Sequence, residues 1–266
     1  MSIQTKFGIV GLGFVGGAVR DSLDFGFCNL ILVDPPKGLP HSYKDLADCE
    51  AVFVCVPSPS NEDGSCDTGI LESTLEKLKD YNGVIISKTT APPSVYENLS
   101  KQYKNLVHAP EFLTAANASR DYANGKFAII GGSTPAYIRE AERVIRLSQT
   151  LLQTVVHCTA AEASLTKYTI NCFLATKVIF MNEIAALANA SGIDYNNVAR
   201  LVNLDPRIGN SHMQVPGPDG ALGFGGMCFP KDTAALLKYA ESFNVSLNTI
   251  DASVKKNTLL RLQEPK

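Results

Sequence analysis

The sequence predicts an α/β protein in which a parallel, doubly wound sheet is followed by an all-helical segment. Short apolar runs alternate with helical patterns until about residue 155, as in consecutive β-α-β units. A glycine-rich turn follows the first apolar run, and beyond Thr159 the strand pattern gives way to helical periodicity. We therefore expect two domains, at 1–159 and 160–266.

The first strand runs into Gly-x-Gly-x-x-Gly at residues 11–16 and then into a helical pattern. Gly11 permits a tight turn, Gly13 lets the backbone approach a pyrophosphate, and Gly16 lets the helix pack closely on the strand. Phe14 and Val15 lie between these glycines, at the start of the helix. The turn predicts a Rossmann-like dinucleotide site, and a glycine turn without a ligand is the alternative.

A second strand, Leu30–Val33, ends at Asp34, about 20 residues beyond the glycine turn. A carboxylate there can bind a ribose 2′-hydroxyl and would repel a 2′-phosphate. Strand, spacing and acid together favour the dinucleotide site, with NAD rather than NADP as the cofactor.

The other elements of the first domain follow in order. Helices are expected at Leu71–Lys79 and Pro135–Leu147. The loop Pro57–Gly69 leaves the carboxyl end of the third strand, where such sheets bind ligands. The seven predicted strands are Lys6–Val10, Leu30–Val33, Ala51–Cys55, Gly83–Ser87, Leu106–His108, Phe127–Gly131 and Leu151–Val156.

The second domain is predicted to be helical throughout. A long helix at Ala160–Ala190 presents an apolar stripe that includes Ile179, Ile184 and Leu187. Because such a stripe needs a cover, we expect at least a dimer. The remaining expected elements are a helix at Asp194–Val202, a loop at Asn203–Pro230, and helices at Lys231–Ser242 and Leu247–Leu262.

Composition narrows the function classes. Lys+Arg number 24 against 26 Asp+Glu, so no basic excess predicts a nucleic-acid partner. Seven cysteines, an odd number with no CxxC pair, favour a reducing compartment over a disulfide framework and suggest no metal site. The N-terminus lacks a signal-peptide pattern, and the most apolar helix carries Asn182 and Glu183. We expect a cytoplasmic protein without a membrane span.

One thiol stands out from the others. Cys228 lies between a glycine turn, Gly225-Gly226, and the pair Lys231-Asp232 at the start of a helix. A thiol titrates near pH ~8.5, so a nucleophilic one needs a positive or dipolar neighbourhood, which Lys231 and a helix N-terminus can supply. Cys228 is therefore a candidate nucleophile; a structural cysteine beside a turn is the alternative.

A polar pair lies on the long helix. Lys167 and Asn171 are four residues apart and so share one face. An ammonium and a carboxamide side by side can stabilise an alkoxide, as alcohol oxidation requires. A solvated polar edge is the alternative.

Together these residues resemble the UDP-glucose/GDP-mannose dehydrogenase family nearly end to end. The form Cys-Phe-Pro-Lys-Asp is that of the UDP-glucose dehydrogenases. The motifs, in chain order, are Gly11-Leu12-Gly13-Phe14-Val15-Gly16, Val56-Pro57-Ser58-Pro59, Lys88-Thr89-Thr90-Ala91-Pro92-Pro93, Pro110-Glu111-Phe112-Leu113, Lys167-Tyr168-Thr169-Ile170-Asn171, Asn182-Glu183, Asp205-Pro206-Arg207-Ile208-Gly209 and Gly223-Phe224-Gly225-Gly226-Met227-Cys228-Phe229-Pro230-Lys231-Asp232.

The resemblance implies oxidation of the C6 alcohol of a nucleotide sugar to a carboxylate, with two molecules of NAD as oxidant. Cys228 would hold the intermediate as a thiohemiacetal and then as a thioester. Lys167 and Asn171 would stabilise the oxyanion, Asp232 with Thr90 would organise a water or base, and Glu111 would assist thioester hydrolysis.

The resemblance also implies ligand contacts. Arg207 resembles an arginine that reaches the substrate of a partner subunit, which would make the site depend on a homodimer. Cofactor contacts would come from Gly11, Gly13, Phe14, Val15, Gly16, Asp34, Val56, Pro57, Ser58, Thr89, Thr90 and Lys231. Substrate contacts would come from Glu111, Phe112, Leu113, Lys167, Asn171, Arg207, Phe224 and Gly225.

The sequence departs from the family pattern in two places. Ala115-Ala116 stand where the family commonly has Glu-Gly, which affects one cofactor-side contact. The sequence ends at Lys266, where the family normally continues into a UDP-binding domain. A separate polypeptide that supplies this domain, a different substrate, and a fragment are three open explanations.

Two other functions fit part of the pattern. A β-hydroxyacid dehydrogenase shares the two-part layout and a helix lysine but performs a single oxidation without a cysteine. A non-catalytic NAD-binding dimer would use only the first domain and the apolar stripe.

Overall fold

The chain folds into two compact units in a computed structural model that describes residues 5–23, 28–114 and 117–262. The first unit comprises Met1–Pro59 and Cys66–Lys167, and the second comprises Ser60–Ser65 and Tyr168–Lys266. The division falls after Lys167, inside a helix, while the domain boundary at 159/160 stays a proposal. Ala115 and Ala116 lie outside the described residues.

The first unit contains a seven-stranded sheet in the order β2-β1-β3-β4-β5-β6-β7. The crossover from β2 to the far side of β1 makes the sheet doubly wound, so the α/β fold is confirmed. The strands are β1 (Thr5–Val10), β2 (Cys28–Val33), β3 (Ala51–Val54), β4 (Val84–Ser87), β5 (Leu106–His108), β6 (Phe127–Gly132) and β7 (Thr154–Cys158).

The central strands are apolar throughout because helices cover both faces of the sheet. All four residues of β3 and of β4 are buried, as in the central strands of parallel sheets. One face packs under α1 (Phe14–Leu23) and α5 (Pro135–Ser148). The other packs under α2 (Gly69–Lys77) and α3 (Pro93–Gln102).

One aspect of the sheet prediction is wrong: the sheet is not parallel throughout. β5 pairs with β6 in antiparallel register, with Val107 opposite Gly132, while β6 and β7 are parallel to each other. Among its described residues, the connection from β5 to β6 contains one helix, the six-residue α4 (Ala118–Ala123). A parallel pairing would require the connection to carry the chain back from the carboxyl end of β5 to the amino-terminal end of the sheet, and this connection does not do so.

The sequence analysis expected helices between the strands but did not name α3 or α4. The prolines at 92 and 93 resemble a loop, yet Pro93 is the first residue of α3, where its missing N–H and fixed φ are tolerated. The seventh strand begins at Thr154, three residues later than the predicted Leu151.

The second unit contains no strand among its described residues. Its helices are the second part of α6 (Ala160–Ala190), which begins in the first unit, α7 (Tyr195–Val202), α8 (Phe229–Glu241) and α9 (Asn248–Arg261). Segment Ser60–Ser65 belongs to this unit, where an added Cβ on Gly64 would lie 3.5 Å from Cβ of Ala234.

The predicted apolar stripe on α6 is partly wrong. Ile179 is only 4% exposed because it packs with Ala175, Phe224 and Leu260 in the second unit's own core. Ile184 packs partly against a second cluster around Met181. Within this unit the exposed apolar line on α6 is Phe173, Phe180 and Leu187, at 66%, 57% and 65% exposure.

Helix α6 is long and apolar enough to cross a membrane by length and composition, and 39% of its most apolar stretch is buried. The core helix of a globular protein meets the same test. Because α6 also buries Lys167, Asn171 and Asn182, length and composition alone do not assign it to a membrane.

A buried histidine makes the first unit sensitive to acid. The ring of His108 stacks on Tyr96 at 3.8 Å, its Nδ1 lies 3.2 Å from the Ser87 carbonyl oxygen, and its Nε2 has no partner among the described residues. Burial lowers the pKa of His108 from 6.5 to about 3. Between these values the unfolded chain binds the proton more readily, so stability falls as the pH falls.

We predict that His108→Phe, which keeps the stacking surface, reduces the loss of unfolding free energy between pH 7 and pH 5 by about 2 kcal/mol. Urea unfolding at both pH values measures this difference. The same substitution at exposed His41 is the control, and equal acid losses in wild type and His108→Phe would contradict the prediction.

Candidate functional site

The carboxyl ends of the parallel strands define the candidate cofactor site. Strand order reverses between β1 and β3, and ligands of doubly wound sheets bind at this switch point. The glycine turn follows β1, Asp34 follows β2, and Val56 lies two residues beyond β3. The structure thus places these predicted cofactor residues along one sheet edge in the first unit, whereas Lys231, also a predicted cofactor contact, belongs to the second unit.

The glycines have the geometry that a bound pyrophosphate requires. Gly11 has φ +85°, and an added Cβ would lie 2.7 Å from the Cys55 carbonyl oxygen. A Cβ on Gly16 would clash with the carbonyl oxygen of Gly11, whereas one on Gly13 would meet nothing within 4 Å. Gly11 and Gly16 therefore permit close packing, and Gly13 leaves open space at the N-terminus of α1.

Asp34 is 8% exposed and accepts a hydrogen bond of 2.8 Å from the backbone N–H of Leu12 through Oδ2. Nearby, Lys37 donates a 2.6 Å hydrogen bond to the Leu12 carbonyl oxygen. The acid at the end of β2 therefore also fixes the middle of the glycine turn, which the sequence did not suggest.

An open groove of about 480 Å³ borders the glycine turn. Gly13, Phe14 and Gly17 line one side, and Asn117 to Arg120 line the other. The groove contains a helix N-terminus, which favours an anion. Both the exposed Arg120 and the carboxylate of Asp21, which pairs with Arg20, also line it. The open glycine and the helix N-terminus fit NAD at this edge.

Hydrogen bonds connect the loops after β3 and β4, which contain predicted cofactor contacts. The Thr89 hydroxyl donates to the Val56 carbonyl oxygen at 2.9 Å, and the Ser58 hydroxyl donates to that of Thr90 at 2.5 Å. Pro57 lies between the two bonded residues of the β3 side. These bonds fix the loops that border the edge of the sheet.

Glu111 and Lys167 form a buried ion pair in the first unit. Nζ of Lys167 donates to the Glu111 carbonyl oxygen at 2.5 Å and lies 3.2 Å from its Oε1. The second carboxylate oxygen of Glu111 accepts a 2.7 Å hydrogen bond from the N–H of Leu113. Lys167 also lies 5.3 Å from the ring centre of Phe112. The carboxylate and the ammonium therefore hold each other in position.

Lys88 is a second buried lysine at this edge, and the sequence analysis gave it no role. It is 5% exposed and follows β4 directly. Burial lowers its pKa from 10.5 to about 8, although Cys55 and Glu111 favour the charged form.

In the second unit, Asp232 is 1% exposed and holds two partners. Nδ2 of Asn171 donates to its Oδ2 at 2.6 Å, and Nζ of Lys231 donates to its Oδ1 at 2.6 Å. Asn171 is itself 6% exposed. The two donors compensate the buried charge of this carboxylate and fix its orientation.

Cys228 is exposed and immediately precedes α8, so the positive end of the helix dipole adjoins it. Its carbonyl oxygen accepts a 2.8 Å hydrogen bond from the N–H of Asp232, one helical turn later. The candidate nucleophile and the buried carboxylate therefore occupy the same turn of the chain.

The glycine loop before Cys228 is held by side chains of α6 and α9. The N–H of Gly223 donates to Asn182, and that of Phe224 donates to Asn257, at 3.0 and 2.7 Å. Arg261 donates to the carbonyl oxygens of both residues, and its guanidinium would lie 2.6 Å from a Cβ on Gly225.

Two predicted substrate residues have distinct environments in the second unit. The Phe224 side chain is 4% exposed in a core cluster, so a contact to substrate would come from its backbone. The Arg207 side chain is 87% exposed and pairs with Asp205 at 2.5 Å. Both assignments stay proposals.

The chain matches the NAD binding domain of the UDP-glucose/GDP-mannose dehydrogenase family over residues 40–149. It matches the central domain of the same family over residues 161–259. The two matches together cover more than three quarters of the chain. The chain belongs to this family. NAD is therefore the cofactor that its first unit binds, in agreement with the glycine turn and Asp34.

Relatives agree with the family assignment. The putative UDP-glucose 6-dehydrogenase YtcA of Bacillus subtilis (strain 168) is 34% identical over 213 residues, which are 75% of this chain and 48% of that protein. The chain spans about half the length of the curated relatives it matches.

Solved structures share the fold. A UDP-glucose dehydrogenase from the archaeon Pyrobaculum islandicum has a TM-score of 0.81 and 24% identity, with coverage of 97% of this chain and 69% of that one. A 3-hydroxyisobutyrate dehydrogenase from Mycobacterium tuberculosis has a TM-score of 0.73 and 15% identity, with coverage of 95% and 92%. At these identities the two likenesses show the fold alone.

We predict that the chain binds NAD at least ~10-fold more tightly than NADP, a difference of about 1.4 kcal/mol, because buried Asp34 repels a 2′-phosphate. Calorimetric titration with both dinucleotides measures the ratio. Asp34→Asn should reduce the preference, whereas Asp48→Asn, at an exposed position, should keep it. Equal affinities of the wild type would remove Asp34 from the recognition of the ribose.

Proposed function

We propose that this chain carries the NAD-binding and catalytic parts of a nucleotide-sugar 6-dehydrogenase that converts UDP-glucose to UDP-glucuronate. The observation that carries the proposal is the turn of chain that joins exposed Cys228 to the buried Asp232 carboxylate, held by Asn171 and Lys231. A thiol beside a satisfied carboxylate at a helix N-terminus suits covalent catalysis.

In this proposal the groove beside Gly13 would hold NAD, and two NAD molecules, bound one after the other, would each take up one of the two hydrides that leave C6. Asp232 with Thr90 removes the proton of the C6 alcohol, directly or through a water. The Cys228 thiol then adds to the aldehyde to form a thiohemiacetal, which a second oxidation converts to a thioester. Water cleaves the thioester, so the carboxylate product leaves and the thiol is restored.

The buried ion pair of the first unit supplies the charge for these steps. Lys167 stabilises negative charge on the substrate oxygen, because an ammonium fixed in a poorly hydrated site interacts strongly with it. Glu111, fixed by the Leu113 N–H, activates the hydrolytic water. Asn171 adds a hydrogen-bond donor, and Arg207, Phe224 and Gly225 contact the substrate.

A second candidate is a β-hydroxyacid dehydrogenase that performs one oxidation. The two-part layout and a lysine on the long helix are compatible with it, and a 3-hydroxyisobutyrate dehydrogenase shares the fold. Such an enzyme needs Lys167 and not Cys228. A non-catalytic NAD-binding dimer is the third candidate. We propose a cytoplasmic location for each of them.

We predict that UDP-glucose oxidation yields two molecules of reduced NAD per sugar, and that Cys228→Ser abolishes carboxylate formation. Absorbance of the reduced cofactor and chromatography of the product measure both quantities. Cys158→Ser, at a half-buried thiol, is the matched control. Full turnover by Cys228→Ser with one reduced NAD per substrate would favour the single-oxidation enzyme, and no turnover by the wild type would favour the non-catalytic dimer.

Glu111→Gln should pass both oxidation steps and then accumulate the thioester, because the carboxylate that activates the hydrolytic water is missing. Intact mass spectrometry after mixing with UDP-glucose and NAD should show an adduct on Cys228. Lys167→Met should instead slow the oxidation steps without an adduct. An unchanged product rate in Glu111→Gln would remove the residue from the mechanism.

We also propose that the chain forms a homodimer through α6. Phe173, Phe180 and Leu187 recur every seven residues, so they lie on nearly one line of the helix. Each is more than half exposed, and three large apolar side chains in line are unfavourable in water.

We predict that Phe180→Glu converts a dimer into a monomer at micromolar concentration in sedimentation velocity. Leu259→Glu is the control, since Leu259 is 61% exposed on α9. A wild-type chain that sediments as a monomer would contradict the dimer.

A further inference from the structure

Lys88 occupies the middle of the ligand edge of the sheet. Its N–H extends the ladder beyond β4 by donating to the Val54 carbonyl oxygen at 2.8 Å. Because alternate residues of a strand share a face, the side chain lies on the same face as Val84 and Ile86, which α1 and α5 cover. Cys55 and Glu111, its electrostatic neighbours, follow the two strands that flank β4.

The ammonium of Lys88 lacks a hydrogen-bond acceptor in the part of the chain that the structure describes. Its nearest defined partner is the ring of Tyr122, with Nζ 5.5 Å from the ring centre. The Tyr122 hydroxyl is already bonded to Ser148 at 2.9 Å. A ring face offers only partial compensation for a cation. Nζ of Lys88 is not among the fully shielded unpaired side-chain atoms of the described residues, so its N–H groups keep some access to the surface.

The contrast with Lys167 shows what a satisfied lysine looks like in the same unit. Lys167 is 3% exposed, close to the 5% of Lys88, yet it has two oxygens of Glu111 as acceptors. A buried charge without such partners destabilises a fold. The presence of Lys88 at the ligand-binding edge is explained if a bound molecule supplies an acceptor oxygen for its ammonium.

We propose that Lys88 contacts the cofactor: its ammonium donates to a ribose hydroxyl or phosphate oxygen of bound NAD at the carboxyl edge of β4. This inference rests on the NAD site described above and adds a residue to it. The free protein carries the unfavourable charge, and cofactor binding relieves it. The lowered pKa of the free lysine agrees with this arrangement.

The test is Lys88→Met, which fills similar space without charge. Calorimetry should show NAD affinity at least ~10-fold weaker than in the wild type, while the thermal midpoint of the free protein stays equal or rises. A merely structural lysine would give the reverse, a lower midpoint with unchanged NAD affinity, and that result overturns the proposal. Lys101→Met, at an exposed lysine paired with Glu97 on α3, should change neither quantity.

Four further outcomes are decisive. If Lys88→Met weakens binding of UDP-glucose alone and leaves NAD affinity unchanged, the acceptor belongs to the sugar nucleotide and the proposal fails. If neither Lys88→Met nor Lys88→Gln folds, the free protein needs the charge, and the proposal also fails. A wild-type chain that binds no NAD would overturn the whole cofactor site, whereas normal wild-type binding with an unaffected variant overturns this inference alone.

Discussion

The burial of one carboxylate determines the geometry of the second unit. Asp232 is 1% exposed, and an isolated charge at that depth would be strongly unfavourable. Asn171 and Lys231 remove the penalty by occupying both carboxylate oxygens. Because Asn171 belongs to α6 and Asp232 to the first turn of α8, the pairing fixes the start of α8. The position of Cys228, one residue before that helix, follows from the same pairing.

The two buried lysines of the first unit have different electrostatic environments. Lys167 and Glu111 neutralise each other at hydrogen-bond distance, so both are ordered before any ligand arrives. Lys88 has no hydrogen-bond acceptor among the described residues, so only the ring of Tyr122 and the charge of Glu111 compensate it, and they do so partly. The Lys167–Glu111 pair is therefore fixed before a ligand binds. The ammonium of Lys88 can still gain a favourable interaction when a ligand binds.

Local sequence patterns predicted most of the strands and the residues of the site. They could not predict features that depend on pairing between residues distant in the chain. Continuous apolar runs located all seven strands, and the spacing of Lys167 and Asn171 placed them on one helix face. The direction of β6 depends on where its connection packs, and no local pattern encodes that. The partners of Lys167 and Asn171 lie 56 and 61 residues away along the chain. The periodicity of α6 suggested an outer stripe for Ile179, whereas packing against Phe224 and Leu260 buries it.

The segment Ser60–Ser65 has a consequence for how this protein can be divided. The chain passes from one unit to the other after Pro59, after Ser65 and after Lys167, so each unit is built from two separate stretches. A single cut anywhere in the sequence leaves at least one unit incomplete. Modular exchange with a relative, in evolution or in the laboratory, therefore has to move six residues of an apparent surface loop together with the last third of the chain.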